Sequence, residues 1–383
     1  MKVLFVQPFP LNGSGGGARI MRFLIQNCPF EAVVLNTAIH SAQPSPHIRE
    51  FQLKERPRIP LIENIARFQG FYKRIARAGI SRWEKRFLKL VTEIKPDCIH
   101  SVYGDDQLFA CVQNVANSLS IPHVLSVHDD NASLEYRDNA VLAQKTEETW
   151  LESSYRYVIS EEMGEEYCRR YGKKDFAVIT DGIENVLNAE TRVTKQTRGR
   201  VYFTGLLHIS YEPNISDLMT CLESIKEDSP EALLVSRGGY PRPTLVKNRN
   251  LFEYRDFQFD LDYIDDTKGF DFLLLPLPFG EQYKPFIQFS FSTKLITYLN
   301  LGIPILYYGP DDAAIYKMLK RYDAAITITD QNKEMLRQAL STPYNRRAEV
   351  VKNAYKLATD HFRKEVILER FYNPITSITK CSG

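Results

Sequence analysis

Long apolar runs are missing from this chain, and no stretch approaches the roughly 20 consecutive apolar residues that a membrane-spanning helix needs. Clustered metal ligands are missing as well. The six cysteines (Cys28, Cys98, Cys111, Cys168, Cys221, Cys381) are scattered, with no C-x-x-C pair and no H-E-x-x-H spacing, which argues against a zinc site and a disulfide framework. Net charge is small: 49 Lys and Arg stand against 47 Asp and Glu, so nothing global draws the chain to nucleic acid. Any electrostatic binding must be local. No low-complexity tract or solenoid-period repeat is present. Met1 leads straight into strand-like Lys2 to Val6 instead of a signal peptide, so a cytoplasmic location is expected.

What is present is an alternation of short apolar runs with longer amphipathic segments. The 383 residues predict about two domains. In the first half, Val3 to Val6, Ala32 to Leu35, Cys98 to Val102, His123 to Val127, Tyr157 to Ser160 and Ala177 to Thr180 read as strands. The second half repeats the pattern with Val201 to Thr204, Ala232 to Ser236, Leu251 to Tyr254, Phe270 to Leu275, Ile303 to Tyr307 and Ala325 to Ile328. The expected class is α/β, with two Rossmann-like domains. Residues 1–185 form the first and 198–342 the second, joined by a polar connector. The tail 343–383 reads as helical up to Asn373-Pro374 and is expected to pack back on the first domain.

Several strand ends carry candidate chemistry. After the first strand, a loop containing Gly13, Gly15, Gly16 and Gly17 opens a helix, and such glycines let a backbone approach a ligand closely. Gly13-x-Gly15-x-x-Ala18 formally fits a dinucleotide fingerprint. Six residues separate it from the strand, however, and Asn36 and Thr37 follow the second strand where an acid would be needed, so NAD is disfavoured. The bland alternative is a turn with no ligand. Next, Ser126-Val127-His128-Asp129-Asp130 ends a strand in a histidine and two carboxylates. His128 there could donate to a sugar hydroxyl or take a proton, or be purely structural.

In the second half, Gly205 and Gly238 stand where strands meet their loops, and Arg237 either meets a phosphate, stacks on a base or is a surface arginine beside a turn. Glu281 and Lys284 lie on a polar loop that either lines a cleft or is simply solvated. Phe289 to Leu306 then combines Ser292 and Thr293 as helix caps, Lys294 in the first turn, and Gly302 with Pro304 as the stop. Exposed N–H groups, a positive helix end and a lysine together suit a phosphate or diphosphate.

Two further features are weighed down by simpler readings. Asp260-Leu261-Asp262 has the form of a metal-holding triplet, but it opens a short helix away from a strand end, where acids usually cap, so no metal is expected. Residues 67–89 form a basic amphipathic segment with Arg67, Lys73, Arg74, Arg77, Arg82, Lys85, Arg86 and Lys89 against Glu84, interrupted at Gly79. It either lies on an anionic membrane face or turns its apolar residues into the core.

On these residues the chain resembles glycosyltransferases of the GT-B fold, specifically glycosyltransferase family 4. The likeness runs through MKVLFVQPFPLNGSGGGARI, Pro96-Asp97-Cys98-Ile99-His100, the His128 segment, YVISEEMGEEYCRRYG with VITDGIE, VYFTGLLH and FSTKLITYLNLGIPIL, nearly the whole length. It implies two domains facing across a cleft, the donor nucleotide sugar held mainly by the second and the acceptor mainly by the first. Gly15, Gly16 and Gly17 resemble the glycine-rich loop near the donor phosphates and acceptor, His128 the cleft histidine, and Ser292, Thr293 and Lys294 the diphosphate-receiving helix start. It further implies hexosyl transfer with retention, without an evident protein nucleophile, to a glycan, a lipid-linked glycan or a small molecule. If the reaction inverts, His128 or Asp129 must serve as base.

The chain departs from that pattern at a pair of glutamates, replaced here by Phe289 and Thr297, and at a basic pair missing from GLLHISYEPN. Thr297 then either makes a weaker hydrogen bond to the donor ribose, accepts a different nucleotide or marks a degenerate site, and Lys294, Lys284 and Arg237 are left to substitute for the cations. Two rival expectations follow: a non-catalytic scaffold subunit, and a GT-B epimerase or hydrolase.

Overall fold

The computed structural model describes residues 1–13, 15–38, 47–53, 69–104, 108–130, 140–186, 192–207, 209–238, 249–258 and 263–381. The Asp260-Leu261-Asp262 triplet, Ser14 and His208 lie outside them. The chain divides into two compact units, Met1–Asp181 with Ile367–Gly383, and Gly182–Val366.

The first unit carries a seven-stranded parallel sheet: β1 (Lys2–Gln7), β2 (Glu31–Asn36), β3 (Arg49–Gln52), β4 (Cys98–Val102), β5 (His123–Val127), β6 (Tyr155–Val158) and β7 (Ala177–Val178). Their order, β3-β2-β1-β4-β5-β6-β7, reverses between β1 and β4. That reversal is the switch point at which open α/β sheets bind ligands, outside the carboxyl ends of the strands. The central strands β4 and β5 are buried throughout because both faces are covered, and their polar residues pair with each other, His100 with Ser126 and His123 with Ser101, at 2.7 Å. One face packs Leu4, Val6, Val33, Leu35 and Ile99 against Trp83, Phe87 and Val91 of the helix Gln69–Ile94 and Val112, Val115 of the helix Leu108–Ser118. The other face meets the carboxyl-terminal helix Lys364–Cys381, where Phe371 lies against His100 and Tyr157, and Tyr372 donates to the Leu24 carbonyl at 2.8 Å.

Two expected helix breaks, at Gly79 and Pro374, are corrected, and one strand is added. Edge strand β3, with the sequence Arg49-Glu50-Phe51-Gln52, has no apolar run and escapes a pattern reading, as charged edge strands do. The helix Gln69–Ile94 continues through Gly79, and its described apolar residues Trp83 and Phe87 are buried in the core while Arg82, Lys85, Arg86 and Lys89 face solvent. The last helix runs through Pro374 to Cys381. Burial of Phe371, Tyr372 and Ile375, each worth roughly 1.5–3 kcal/mol, compensates the hydrogen bond that proline removes.

The second unit repeats the plan with six parallel strands: β8 (Arg200–Gly205), β9 (Leu233–Gly238), β10 (Phe252–Asp256), β11 (Phe272–Pro276), β12 (Ile305–Tyr308) and β13 (Ile326–Ile328), in the order β10-β9-β8-β11-β12-β13. The switch point falls between β8 and β11. The connector is held firmly within this unit. Asp271, 1% exposed, accepts from Thr194 Oγ1 at 2.7 Å and from the Arg198 and Arg200 amides at 2.8 and 3.0 Å. Buried Arg347 donates to the carbonyls of Thr194 and Thr342. Among the described residues no helix is long and apolar enough to cross a membrane, and no group of three or more His, Cys, Asp or Glu could hold a metal ion.

Candidate functional site

Both switch points gather residues singled out by the sequence. In the first unit the loop after β1 turns at Gly13, whose amide bonds the Pro10 carbonyl at 2.9 Å, and the helix Gly16–Gln26 begins with Gly15 at its N-cap. Gly15 and Gly16 are exposed, and a Cβ on Gly15 would meet nothing within 4 Å. Gly17 is different. A Cβ there would lie 2.8 Å from the Phe9 ring and 3.3 Å from His128 Nδ1, so only glycine lets the helix start sit against both side chains.

His128 follows β5 and is 7% exposed. Its Nδ1 is buried without a hydrogen-bond partner, and burial depresses the imidazole to about 4, so the ring is neutral at pH 7. An unmet lone pair costs less than an unmet N–H, which assigns the proton to Nε2. The two carboxylates after it diverge. Asp129 is exposed, whereas Asp130 is buried and accepts two bonds from Arg170 Nη1, at 2.9 and 3.1 Å, and one from Tyr167.

Sequence reasoning missed a pair nearby. Asp181, the residue after Thr180 beyond β7, holds Arg19 Nε at 2.6 Å while its Oδ1 is buried with no partner. Burial raises the Asp181 pKa and Arg19 only partly offsets this. The aspartate of the Thr180-Asp181-Gly182 turn was visible; that Arg19 would reach it was not.

In the second unit Gly205 and Gly238 are register partners at the carboxyl ends of β8 and β9. Both have positive φ, +107° and +115°, a backbone conformation that side chains disfavour. A Cβ on Gly238 would sit 3.1 Å from the Gly205 carbonyl oxygen, and one on Gly205 would sit 2.6 Å from Lys294 Cε. The Lys294 stem therefore lies directly over Gly205. Its ammonium is 5.5 Å from the Phe203 ring centroid and 5.7 Å from that of Tyr211. Such rings help hold a cation in place.

The remaining second-unit candidates divide. Ser292 is the N-cap of the helix Thr293–Tyr298 but makes no side-chain cap bond, and six residues give that helix a weaker end field than expected. Half-buried Thr297 precedes Tyr298, whose hydroxyl accepts the Thr204 amide at 3.0 Å and ties the helix to the end of β8. Lys284 pairs with Glu281 at 2.7 Å on an exposed turn. Arg237 is engaged within the unit. Its guanidinium forms a fork on Asp266, at 2.6 and 2.7 Å, and donates to the Asp256 carbonyl, so its charge is met inside the unit. Asp266 also accepts from Arg255 at 2.9 Å and from Tyr202.

No protein-family model matches the chain, and no curated protein matches it in sequence. Solved structures match over nearly the full length. Sucrose-phosphate synthase from Thermosynechococcus elongatus superposes with a TM-score of 0.70 at 15% identity, covering 99% of each chain. HepE from Anabaena, in complex with UDP, gives 0.68 at 13% identity, over 98% of this chain and all of its own. The Escherichia coli trehalose-6-phosphate protein bound with UDP-2-fluoro glucose gives 0.66 at 10%, over 99% of each. The fold is that of the GT-B glycosyltransferases.

Proposed function

We propose that the chain is a nucleotide-sugar glycosyltransferase of the family 4 kind, moving a hexosyl group to an acceptor hydroxyl with retention of configuration. The observation that carries this reading is the Gly205–Gly238–Lys294 arrangement. It sets a lysine on a backbone without Cβ atoms, at the carboxyl ends of β8 and β9, with β8 one of the two strands of the second sheet's switch point. A departing nucleoside diphosphate develops charge there, and a positioned cation stabilises the transition state more than the ground state. Ser292, Thr293 and Thr297 stand on the helix that carries Lys294 and supply polar contacts to the same donor.

On the first unit, His128 acts as a neutral Nε2–H donor to a sugar hydroxyl, since its depressed pKa makes it a poor proton acceptor near pH 7. With retention, the donor phosphate takes the acceptor proton and Asp129 is not needed as base. The donor is a co-substrate and no metal takes part. HepE and the E. coli protein were solved with UDP or a UDP-sugar, which makes UDP the first nucleotide to try.

The test is a thermal-shift panel of UDP, GDP, ADP, CDP and dTDP, with and without magnesium. A nucleotide at a hundred times its Kd stabilises by about 2.7 kcal/mol, or roughly 5–10 °C for a unit of this size. Lys294→Ala should weaken the selected nucleotide roughly 10- to 100-fold, the worth of a charge-assisted hydrogen bond. No shift with any nucleotide sinks this reading in favour of a non-catalytic binding subunit, for which Phe289 and Thr297 in place of carboxylates already speak. Release of free sugar from the donor without acceptor points instead to a hydrolase.

A further inference from the structure

The helix Gln69–Ile94 is the longest among the described residues, at 26 residues or about 39 Å, and it carries seven Lys and Arg against two Glu. Its apolar side is committed to the core. Trp83 and Phe87 are 5% and 0% exposed, their ring centroids stack at 5.0 Å, and Trp83 Nε1 donates to the Leu53 carbonyl at 3.2 Å. On the solvent side Arg82, Lys85, Arg86 and Lys89 recur at i, i+3, i+4 and i+7, which aligns them in one exposed stripe about 10 Å long.

The acids of the helix do little to neutralise this stripe. Glu84 Oε1 accepts from Asn114 Nδ2 at 3.1 Å, which turns it towards the neighbouring helix Leu108–Ser118, and Glu93 reaches only Lys89, at 3.9 Å. Arg82, Lys85 and Arg86 make no ion pair among the described residues. A row of unpaired cations on a convex surface fits a broad anionic one. A straight rod is tangent to a plane along its length, whereas a duplex curves its phosphates away within a turn. From 82 to 89 the only other exposed side chain is Leu88, at 37%, so nothing here stacks on a base or reads one.

We propose that this stripe docks the first unit electrostatically on an anionic phospholipid bilayer, the helix lying along the surface and no side chain entering the acyl region. The proposal stands apart from the donor site and does not need the glycosyltransferase reading. The full chain is co-sedimented with vesicles of phosphatidylcholine alone and of phosphatidylcholine with about one third phosphatidylglycerol, at about 0.1 and 1 M NaCl. A cation beside such a surface is worth about fivefold in affinity, so four of them predict a preference for the anionic vesicles of about 100-fold or more. It should vanish at the higher salt, where the screening length falls from about 10 Å to about 3 Å. The combined variant Arg82→Gln, Lys85→Gln, Arg86→Gln and Lys89→Gln keeps helix formers on an exposed face, so it should fold normally and bind anionic vesicles no better than neutral ones.

A control that removes the same charge at exposed sites elsewhere, Lys173→Gln, Lys268→Gln, Lys352→Gln and Lys356→Gln, should lose less than about fivefold. Trp83 and Trp150 are both buried, so tryptophan emission should not shift on binding. Equal binding to both vesicles, or an equal loss in the control, overturns the docking stripe. Tighter binding to a short DNA duplex at the same salt reassigns it to nucleic acid, and a shifted emission means that the helix leaves the core and inserts. None of these readouts involves a nucleotide, so failure here spares the donor reading, and failure of the donor reading spares the stripe.

Discussion

Lys294 lies over the α-carbon of Gly205, so closely that a single added methyl group would come within 2.6 Å of its Cε. The lysine and the glycine that makes room for it are thus one unit, although 89 positions separate them (294 − 205).

Gly205→Ala tests that unit. The φ of +107° strains any side chain by about 1–3 kcal/mol, and the new methyl group displaces Lys294. Urea unfolding should show a loss of that order, and the nucleotide-induced thermal shift should fall as far as in Lys294→Ala. An undiminished shift would separate Gly205 from the donor site.

Asp266 and Arg237 should behave as structure, not as donor ligands. Asp266→Ala leaves the Arg237 and Arg255 guanidinium groups without their shared carboxylate, and both are partly buried. The expected loss is about 3–5 kcal/mol in urea. Arg237→Ala should also destabilise while the Kd for nucleotide in the folded fraction changes less than threefold. A tenfold weakening with unchanged stability would restore Arg237 to the site.

Acid should destabilise the first unit through its histidines. Burial lowers His123 to about 3 and His128 to about 4, and His100 well below its ordinary value. An unfolded histidine takes up a proton below about 6.5 while these three do not, so stability is complete above that pH and falls as pH drops towards 4. Three such groups amount to at most about 4 kcal/mol per pH unit. Asp181, whose pKa burial raises, has the opposite sign and tempers the slope at the acid end. Urea midpoints at pH 7.5 and 5.5 measure this, and His123→Gln should remove about a third of the difference. Equal midpoints would contradict it.

Asp271 should govern the connector. Asp271→Ala strips the Arg198 and Arg200 amides and Thr194 of their shared acceptor, at an expected cost of about 2–4 kcal/mol. Limited proteolysis should then cut within residues 192–199 of the variant and spare the same segment of the parent chain. Unchanged resistance would show that Arg347 holds the segment alone.

Much of the fold was legible because parallel strands buried on both faces announce themselves as apolar runs. Cys98–Val102 and His123–Val127 coincide with their expected limits, and most of the other strands shift by one or two residues at either end. β3 was illegible because its sequence, REFQ, obtains its place from pairing with β2 and not from its own composition. Pro374 misled for a related reason: local preference ends a helix there, but the packing of Phe371 and Ile375 outweighs it.

For the candidate site, the sequence by itself determined which residues stand at strand ends and helix starts: His128, Gly205 and Gly238 at the former, Gly17 and Lys294 at the latter, since glycines, a histidine and a lysine beside apolar runs can be read in one dimension. Only the tertiary structure decided what each one meets. Arg237 and Lys294 carry the same charge, yet one pairs with Asp266 and the other lies over Gly205. Likewise Gln7 Oε1 and Asn36 Oδ1 are buried without partners because two strands far apart in sequence pair in register and close water out. Hydrogen-bond satisfaction is a property of neighbours in space, and the order of residues along the chain does not contain it.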